Sequence, residues 1–411
     1  MRKILILGGG FGGIFTVKNL FKYFKNDFNT EIILIDSRNY FLFTPLLGEA
    51  ATGGVSLRDI IEPIREIFNY KNFKFIHSKI LEIDLDNKNI ILECGEINYD
   101  YLVISLGSVP NFYDIVGAEK YAFTLKSIDD ANKLKKHLIN IFERASFLIE
   151  KNNNLNSLLN FVIVGGGPTG VELAAEIHNL FFNTFKKMYP LDLIKNVNIF
   201  IIEKNNELVS NFNPILRKKV FQRIFDLGIK VLLNKSIKEV SKEFIVLDDN
   251  QKILTQTVIW TAGVRPADVR IIGKINFKNN RILVNEFLQI NNYPEVFAIG
   301  DYAYIQNKDG VAVPQLAQAA VAEAKIVALN IKNLILKNNL IKFEFKLKGY
   351  LIPLGKLFAV GEIHNLIVSG ILAWILWRLV YVSKIILLRN KIKTLIDWIV
   401  DLFLPRNTSE I

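Results

Sequence analysis

One pattern occurs twice in this 411-residue chain and restricts its fold more than any other feature: an apolar run, a G-x-G-x-x-G cluster, a helical stretch, a second apolar run and a closing acid. The first copy runs from the apolar segment Lys3 to Leu7 through Gly8, Gly10 and Gly13, a helical stretch from Phe11 to Phe24, and the segment Glu31 to Asp36. The second runs from Phe161 to Val164 through Gly165, Gly167 and Gly170 in GGGPTGVELAAE, a helix to about Phe182, and the run Val197 to Glu203. Strand, glycine turn, helix and parallel strand make the unit that binds dinucleotides. The glycines let the backbone turn tightly and approach a pyrophosphate at the positive helix N-terminus, and the acid accepts from a ribose hydroxyl. A glycine cluster alone fits a plain tight turn as well; strand, helix and acid around both clusters favour the nucleotide. Two copies predict an α/β fold with two Rossmann-like domains, each a parallel sheet covered by helices. An acid at Glu203 favours the free 2′-hydroxyl of NAD, since a 2′-phosphate would want an arginine there, although Lys204 stands next to it.

Composition removes several function classes. Hydrophobic residues make up 50% and charged residues 22%, which excludes a disordered or collagen-like chain. One cysteine, Cys94, and four histidines exclude an intramolecular disulfide, a CxxC dithiol and a Cys-rich zinc or iron–sulfur site, and no metal is expected. The net charge of +11 favours an acidic partner such as anionic lipid, phosphate or nucleic acid. No zinc-finger spacing, RNP motif or basic stripe outside the tail points to nucleic acid, so none is expected. The N-terminal apolar run stops at Leu7, too short for a signal-peptide core, and is expected as a buried strand.

Residues 80 to 106 are expected as strands, with a hairpin turning at Asp86 to Asn89, followed by a helix from Ile128 to Phe147 and a surface loop at Asn152 to Asn156. Gly300 and Asp301 follow a short apolar strand, Val296 to Ile299; on the residues alone, Asp301 suits a cap of the next turn. From Phe343 the composition shifts to long aliphatics, tryptophans and scattered bases. The most apolar stretch, Leu366 to Leu388, contains Arg378 and Lys384, and an arginine at mid-membrane costs about 2.5–3.5 kcal/mol, which disfavours a spanning helix. From Leu388 onward Ile392, Leu395, Ile396, Ile399, Leu402 and Phe403 recur at helical spacing, opposite Lys393, Thr394, Asp397 and Asp401. This predicts an amphipathic helix, with Trp374, Trp377, Tyr381 and Trp398 suited to the headgroup level of a membrane. A helical hairpin packed on the body or in a dimer interface fits the same spacing.

GGGFGG with Asp36, ISLGS at Ile104 to Ser108, GGGPTGVELAAE, VIWTAGVRP at Val258 to Pro266 and VFAIGD together resemble the two-dinucleotide-binding-domain flavoproteins. Disulfide reductases, NADH peroxidases and sulfide:quinone reductases of that superfamily need catalytic cysteines, and Cys94 lies outside every flavin motif. FTPLLGEAATGG at Phe43 to Gly54, PQLAQAAVAEA at Pro314 to Ala324, GYLIPLGKLFAV at Gly349 to Val360 and the segment Gly370 to Phe403 make the whole chain similar to type II NADH dehydrogenase, the single-subunit, non-pumping NADH:quinone oxidoreductase.

The resemblance implies a discontinuous FAD domain over 1–115 and 270–342, an NADH domain over 116–269 and a C-terminal region over 343–411 with membrane-anchoring amphipathic helices. It implies non-covalent FAD held by Gly8, Gly10, Phe11, Gly12, Gly13, Asp36, Ser37, Arg38, Pro45, Leu46, Ile80, Ser105, Gly107, Asp301, Ala317 and Gln318, with Asp301 on the ribityl chain. NADH as substrate is assigned to Gly165, Gly167, Pro168, Thr169, Gly170, Glu203 and Gly263, and the quinone to Gln318, Ala322 and Leu47. Glu172 matches the family carboxylate near the nicotinamide and quinone pockets, in nicotinamide positioning or proton delivery; a first-turn glutamate complementing the helix dipole is its bland alternative. The family signature A-Q-x-A-x-Q is matched at Ala317, Gln318 and Ala320, but Ala322 replaces the second glutamine. Glu323, one residue on, points about 100° away and is a poor substitute. The expected partners are a quinone, a lipid surface and a second copy in a homodimer, on the cytoplasmic face of the cell membrane. A soluble NADH-dependent reductase with another acceptor and a non-enzymatic NADH-sensing flavoprotein are the alternatives.

Overall fold

The structure, a computed structural model, describes residues 1–149, 155–307 and 310–409. The chain forms two compact units, the first made of Met1–Leu42, Glu62–Val109 and Val264–Leu347, the second of Phe43–Ile61, Pro110–Gly263 and Lys348–Ile411.

In the first unit the strand Arg2–Leu7 pairs in parallel on both sides, with Thr30–Asp36 in register from Arg2↔Thr30 to Leu7↔Ile35, and with Tyr101–Ile104. Ile4 to Leu7 are therefore wholly enclosed, which is why they form a continuous apolar run instead of an alternating one. Phe73–His77 extends the sheet at one side and Tyr293–Ala298 at the other, where the short antiparallel strand Gln289–Ile290 closes it into six strands. Helices Phe11–Phe24 and Ala317–Ile335 pack against each other. The expected hairpin is present: Ile80–Asp84 pairs antiparallel with Asn89–Leu92, closing on Asp84↔Asn89.

The second unit carries the second copy. Asn160–Val164 lies between Asn198–Glu203 and Thr257–Trp260, all parallel, with Lys230–Leu233 outside. The helix Pro168–Asn179 continues through a π-helical turn, Leu180–Thr184, just past its expected end. Against it packs the long helix Ile128–Ile149, where Phe142 meets Phe181 and Phe185 with ring centroids 4.8 and 4.6 Å apart. Of the expected loop, Asn152 to Asn154 lie outside the described residues, and Asn156 opens a short helix, Asn156–Leu159.

The C-terminal region departs from expectation in two ways. It begins with a three-stranded antiparallel sheet, Gly349–Pro353, Ala359–Ile363 and Leu366–Gly370, before the helices Ile371–Lys384 and Leu388–Phe403. The most apolar stretch is thus split between a strand and a helix. No helix among the described residues is long and apolar enough to cross a membrane. The outward apolar positions of both helices match the expected surface-anchoring pattern, and the second departure lies on their inner faces. Asn390, Thr394 and Trp398 are buried, while Leu388, Ile392, Leu395, Ile396, Ile399 and Phe403 are exposed, as are Leu372, Ile375, Leu379 and Val380 on the helix before. The tryptophans expected at headgroup level, Trp374, Trp377 and Trp398, are instead inside the second unit. A buried guanidinium needs cover, and the Arg378 group lies 4.0 Å from the Trp374 ring centroid and 4.4 Å from that of Trp398. Tyr381 likewise turns inward, its ring set edge-on to Phe43 at 6.1 Å.

Candidate functional site

In the first unit, each glycine of the fingerprint has its own task. Gly8 adopts φ +98, and a Cβ there would strike the Ser105 carbonyl. A Cβ on Gly13 would overlap the carbonyl oxygen of Gly8, so only glycine lets the helix sit this close to the strand. Gly10, the N-cap of helix Phe11–Phe24, meets no atom within 4 Å of where its Cβ would be, leaving the space above the helix N-terminus open. Gly12 packs under Ile299 and Ser105, and Phe11 stands edge-on to Phe41 at 5.0 Å.

Asp36 closes the turn. One carboxylate oxygen accepts the Gly9 N–H at 2.5 Å and the other the Arg38 N–H at 2.7 Å, with the Arg38 Nε 3.6 Å away. Each oxygen keeps a lone pair for a further donor. Ser37 is exposed, its carbonyl 2.9 Å from the His77 ring. Ser105 is occupied locally, its hydroxyl donating to the carbonyls of Leu7 at 2.8 Å and Gly8 at 3.2 Å. Gly107, at φ +71, faces open space. Ile80 borders a cleft of about 580 Å³ also lined by Arg265, Arg270 and Tyr302.

Asp301 is not a helix cap: the turn it opens, Gly300–Tyr302, has no side-chain cap, and the carboxylate accepts from the Ser108 hydroxyl at 2.5 Å. Helix Ala317–Ile335 presents Gln318 on its exposed side and Ala317 and Ala322 half-buried. Glu323 points inward, accepting the Gly300 N–H at 2.5 Å, and burial pushes its carboxyl up to about 7. It joins the quinone-motif helix to the Gly300–Asp301 turn, a link the sequence pattern did not reveal.

The second unit repeats the cradle. Gly165 adopts φ +109, a Cβ on Gly170 would overlap the Gly165 carbonyl, and Gly167 at the helix N-cap meets nothing within 4 Å. Pro168 fills the first helical position and Thr169 is exposed. Glu203 accepts the Gly166 N–H at 2.6 Å and the Asn205 N–H at 2.8 Å. Thr261 donates to the carbonyls of Val164 at 2.8 Å and Gly165 at 3.2 Å, as Ser105 does in the first unit. Its place just after the third strand of each repeat was the available signal for it. Gly263 adopts φ +131 with the Tyr113 hydroxyl where a Cβ would stand. Both cradles fit a dinucleotide: open backbone at a helix N-terminus, with an acid whose oxygens can accept once more.

Also in the second unit is a group of carboxyls. Glu172 lies beyond the first turn of its helix, which removes the dipole explanation, and forms no hydrogen bond or ion pair among the described residues. Burial, reinforced by Glu176 and Glu49, pushes its carboxyl up to about 8. Glu176, one helical turn on, is paired with Arg406 at 2.8 Å. Pro45, Leu46 and Leu47 lead into a short helix, Leu47–Ala51, with both leucines buried. On this helix Glu49 accepts the Trp398 indole N–H at 2.7 Å. Neither Glu49 nor Arg406 stands out in the sequence, because their partners Trp398 and Glu176 lie 349 and 230 positions away.

The family model for pyridine nucleotide-disulphide oxidoreductases matches residues 2–324, and that for the NDH2 C-terminal domain matches residues 347–407. A probable NADH dehydrogenase of Dictyostelium discoideum is 32% identical over 99% of this chain and 91% of its own length. A type II NADH:quinone oxidoreductase of Mycobacterium tuberculosis is 27% identical over 98% of this chain and 89% of its own. The solved structure of NDH2 from Plasmodium falciparum in complex with NADH superposes with a TM-score of 0.92 at 25% identity, covering 99% of each chain.

Proposed function

The chain belongs to the pyridine nucleotide-disulphide oxidoreductase family, in its type II NADH dehydrogenase branch, and from that premise we propose that it is a non-pumping respiratory NADH:quinone oxidoreductase with FAD bound non-covalently. The observation that carries this is the duplicated cradle, an acid-locked glycine turn open above a helix N-terminus in each unit. A bound flavin supplies the means of taking two electrons from NADH and passing them to a quinone. The overall change is NADH, one proton and quinone going to NAD and quinol.

The chain's own residues bind, orient and supply the proton. In the first unit, Gly10 and the N–H groups behind it receive the pyrophosphate, Asp36 a ribose hydroxyl, and Asp301, aimed by Ser108, the ribityl chain. In the second, Gly167 and Glu203 play the same parts for NADH, and the acid disfavours a 2′-phosphate. Glu172 holds a proton through neutral pH because ionising it costs desolvation and repulsion from Glu176, and it gives that proton to the quinone oxygen as negative charge builds there. With Ala322 in the motif, Gln318 is the motif's remaining side-chain amide for the quinone head.

The outward apolar faces of the last two helices support a monotopic seat on a lipid surface, where a greasy acceptor is met. A homodimer belongs to the same proposal by family resemblance. Anaerobic stopped-flow tests the whole: NADH bleaches the flavin and a short-chain quinone restores the colour. Protein that purifies colourless and takes up no added FAD, or reduced flavin that quinone does not reoxidise, overturns it.

A further inference from the structure

We propose that Glu49 is a second proton-carrying residue of the quinone-reducing reaction proposed above, returning to Glu172 the proton that Glu172 gives up in each turnover. The short helix that carries Glu49 packs on the helix that carries Glu172, where the bare Cα of Gly48 brings the Leu173 side chain to 4.0 Å from the Cβ position. Glu172 and Glu176 share one face of that helix, a turn apart.

Close ion pairs are unevenly shared among these carboxyls. Four carboxyls, Glu49, Glu172, Glu176 and Asp401, meet two guanidiniums, Arg378 and Arg406. Arg406 is committed to Glu176 and Asp401, at 2.8 Å each. Arg378 stands 3.9 Å from Glu49, too far for a tight pair. Tyr381 from the penultimate helix, Lys135 beside Gly53, and Lys356, bound to the carbonyls of Asp401 and Leu402, are the other titratable groups at this cluster. Glu49, buried, and Glu172, half-buried, are left without a close counter-ion. Burial raises both, Glu49 to about 7 and Glu172 to about 8. Two such acids titrate as a pair, so that ionising one makes the other the stronger base.

The inner face of the last two helices, which supplies the Trp398 and Arg378 neighbours of Glu49, also carries polar atoms that no protein group satisfies. Arg378 Nε and Nη1, Thr394 Oγ1 and Asn390 Oδ1 are buried on the inner face of the last two helices without a protein partner. Native proteins satisfy such atoms with ordered water, which conducts protons. At the rim of this face Asp397 accepts the Ser56 N–H at 2.8 Å, burial raises its pKa, and Asp59 beside it pairs with Lys393 at 3.6 Å. Protonated Glu49 and ionised Glu172 exchange to ionised Glu49 and protonated Glu172; water then reprotonates Glu49, and no electron moves.

The test uses the FAD-loaded enzyme with Glu49→Gln, whose amide oxygen still accepts from Trp398. The first flavin reoxidation by quinone, which spends the proton already on Glu172, keeps its rate, whereas steady turnover near pH 8 falls by about 10²-fold. Glu49→Asp recovers most of it. Infrared pH titration of the same protein, which requires no turnover, shows the carboxylic C=O bands of Glu49, Glu172 and Glu323 disappearing on going alkaline, one of them absent in Glu49→Gln. Unchanged steady turnover near pH 8 with full flavin, or a carboxylic band pattern identical to the parent, overturns the proposal. If quinone fails to reoxidise the parent enzyme, the proposed activity falls, while the infrared bands still decide whether Glu49 carries a proton.

Discussion

Arg406 and Glu176, 230 positions apart in the chain, meet at 2.8 Å in the interior of the second unit. The same guanidinium donates to Thr52 at 2.7 Å and to Asp401 at 2.8 Å, so one side chain near the C-terminus fastens the last helix, the 43–61 segment and the second fingerprint helix together. Burial alone would lower its pKa, but Glu176 and Asp401 outweigh that and raise it.

Removing that cation strands two buried carboxylates. Arg406→Met is expected to destabilise the protein by about 3–5 kcal/mol. Arg406→Lys recovers only part of this, because an ammonium cannot serve three acceptors in a planar fork. Urea unfolding of the three proteins measures it.

The two fingerprint glycines of the first unit separate packing from ligand binding. Gly13→Ala places a methyl on the Gly8 carbonyl and should cost about 1–3 kcal/mol of stability even before flavin is considered. Gly10→Ala meets no protein atom, so the fold should hold while flavin retention drops. Thermal unfolding of flavin-stripped protein and the flavin-to-protein ratio after gel filtration distinguish the two.

Stability should fall as pH rises through neutrality. Glu172 keeps its proton to about 8 in the fold but ionises near 4.5 when exposed. Between those values the unfolded chain has released a proton that the folded chain retains, so stability declines from about pH 4.5 to about 8 and then levels off. Glu172→Gln removes this residue's share of the decline, to which the raised carboxyls of Glu49 and Glu323 also contribute. Relative to the parent the variant should gain about 2–4 kcal/mol between pH 5 and pH 9, read from urea midpoints. Its turnover should suffer more than its flavin retention.

Nucleotide choice should rest on the Glu203 charge. Glu203→Gln keeps an acceptor for the Gly166 N–H yet removes the repulsion of a 2′-phosphate. The kcat/KM ratio of NADPH to NADH should rise by at least about tenfold. Steady-state kinetics with both nucleotides will show it.

Lipid binding should depend on residues that contribute nothing to the fold. Leu379 and Ile396 are 59% and 52% exposed. Leu379→Gln and Ile396→Gln should leave thermal unfolding unchanged while each weakens partition onto anionic vesicles by about 1.5–3 kcal/mol. Deleting the whole tail is a poorer test, because Trp377, Trp398 and Arg406 belong to the core.

Local patterns carried both nucleotide cradles. Gly8, Gly10 and Gly13 and their repeat at Gly165, Gly167 and Gly170 are legible because each is demanded by backbone geometry within a strand–turn–helix unit, and Asp36 and Glu203 by the end of the next strand. The spacing of the last helix was legible too, since a period of 3.6 is local. Which side of that helix turns inward was not. Tertiary structure placed Thr394 and Trp398 inside and Leu395 and Ile396 outside, against the usual sense of an amphipathic helix. The cause is the buried charge cluster: Glu49, Glu176, Arg378 and Arg406 come from four separate segments, and only their meeting makes polar and aromatic side chains the ones that need burial. Short-range sterics and periodicity are written along the chain, whereas desolvation and charge pairing depend on neighbours that sequence order does not specify.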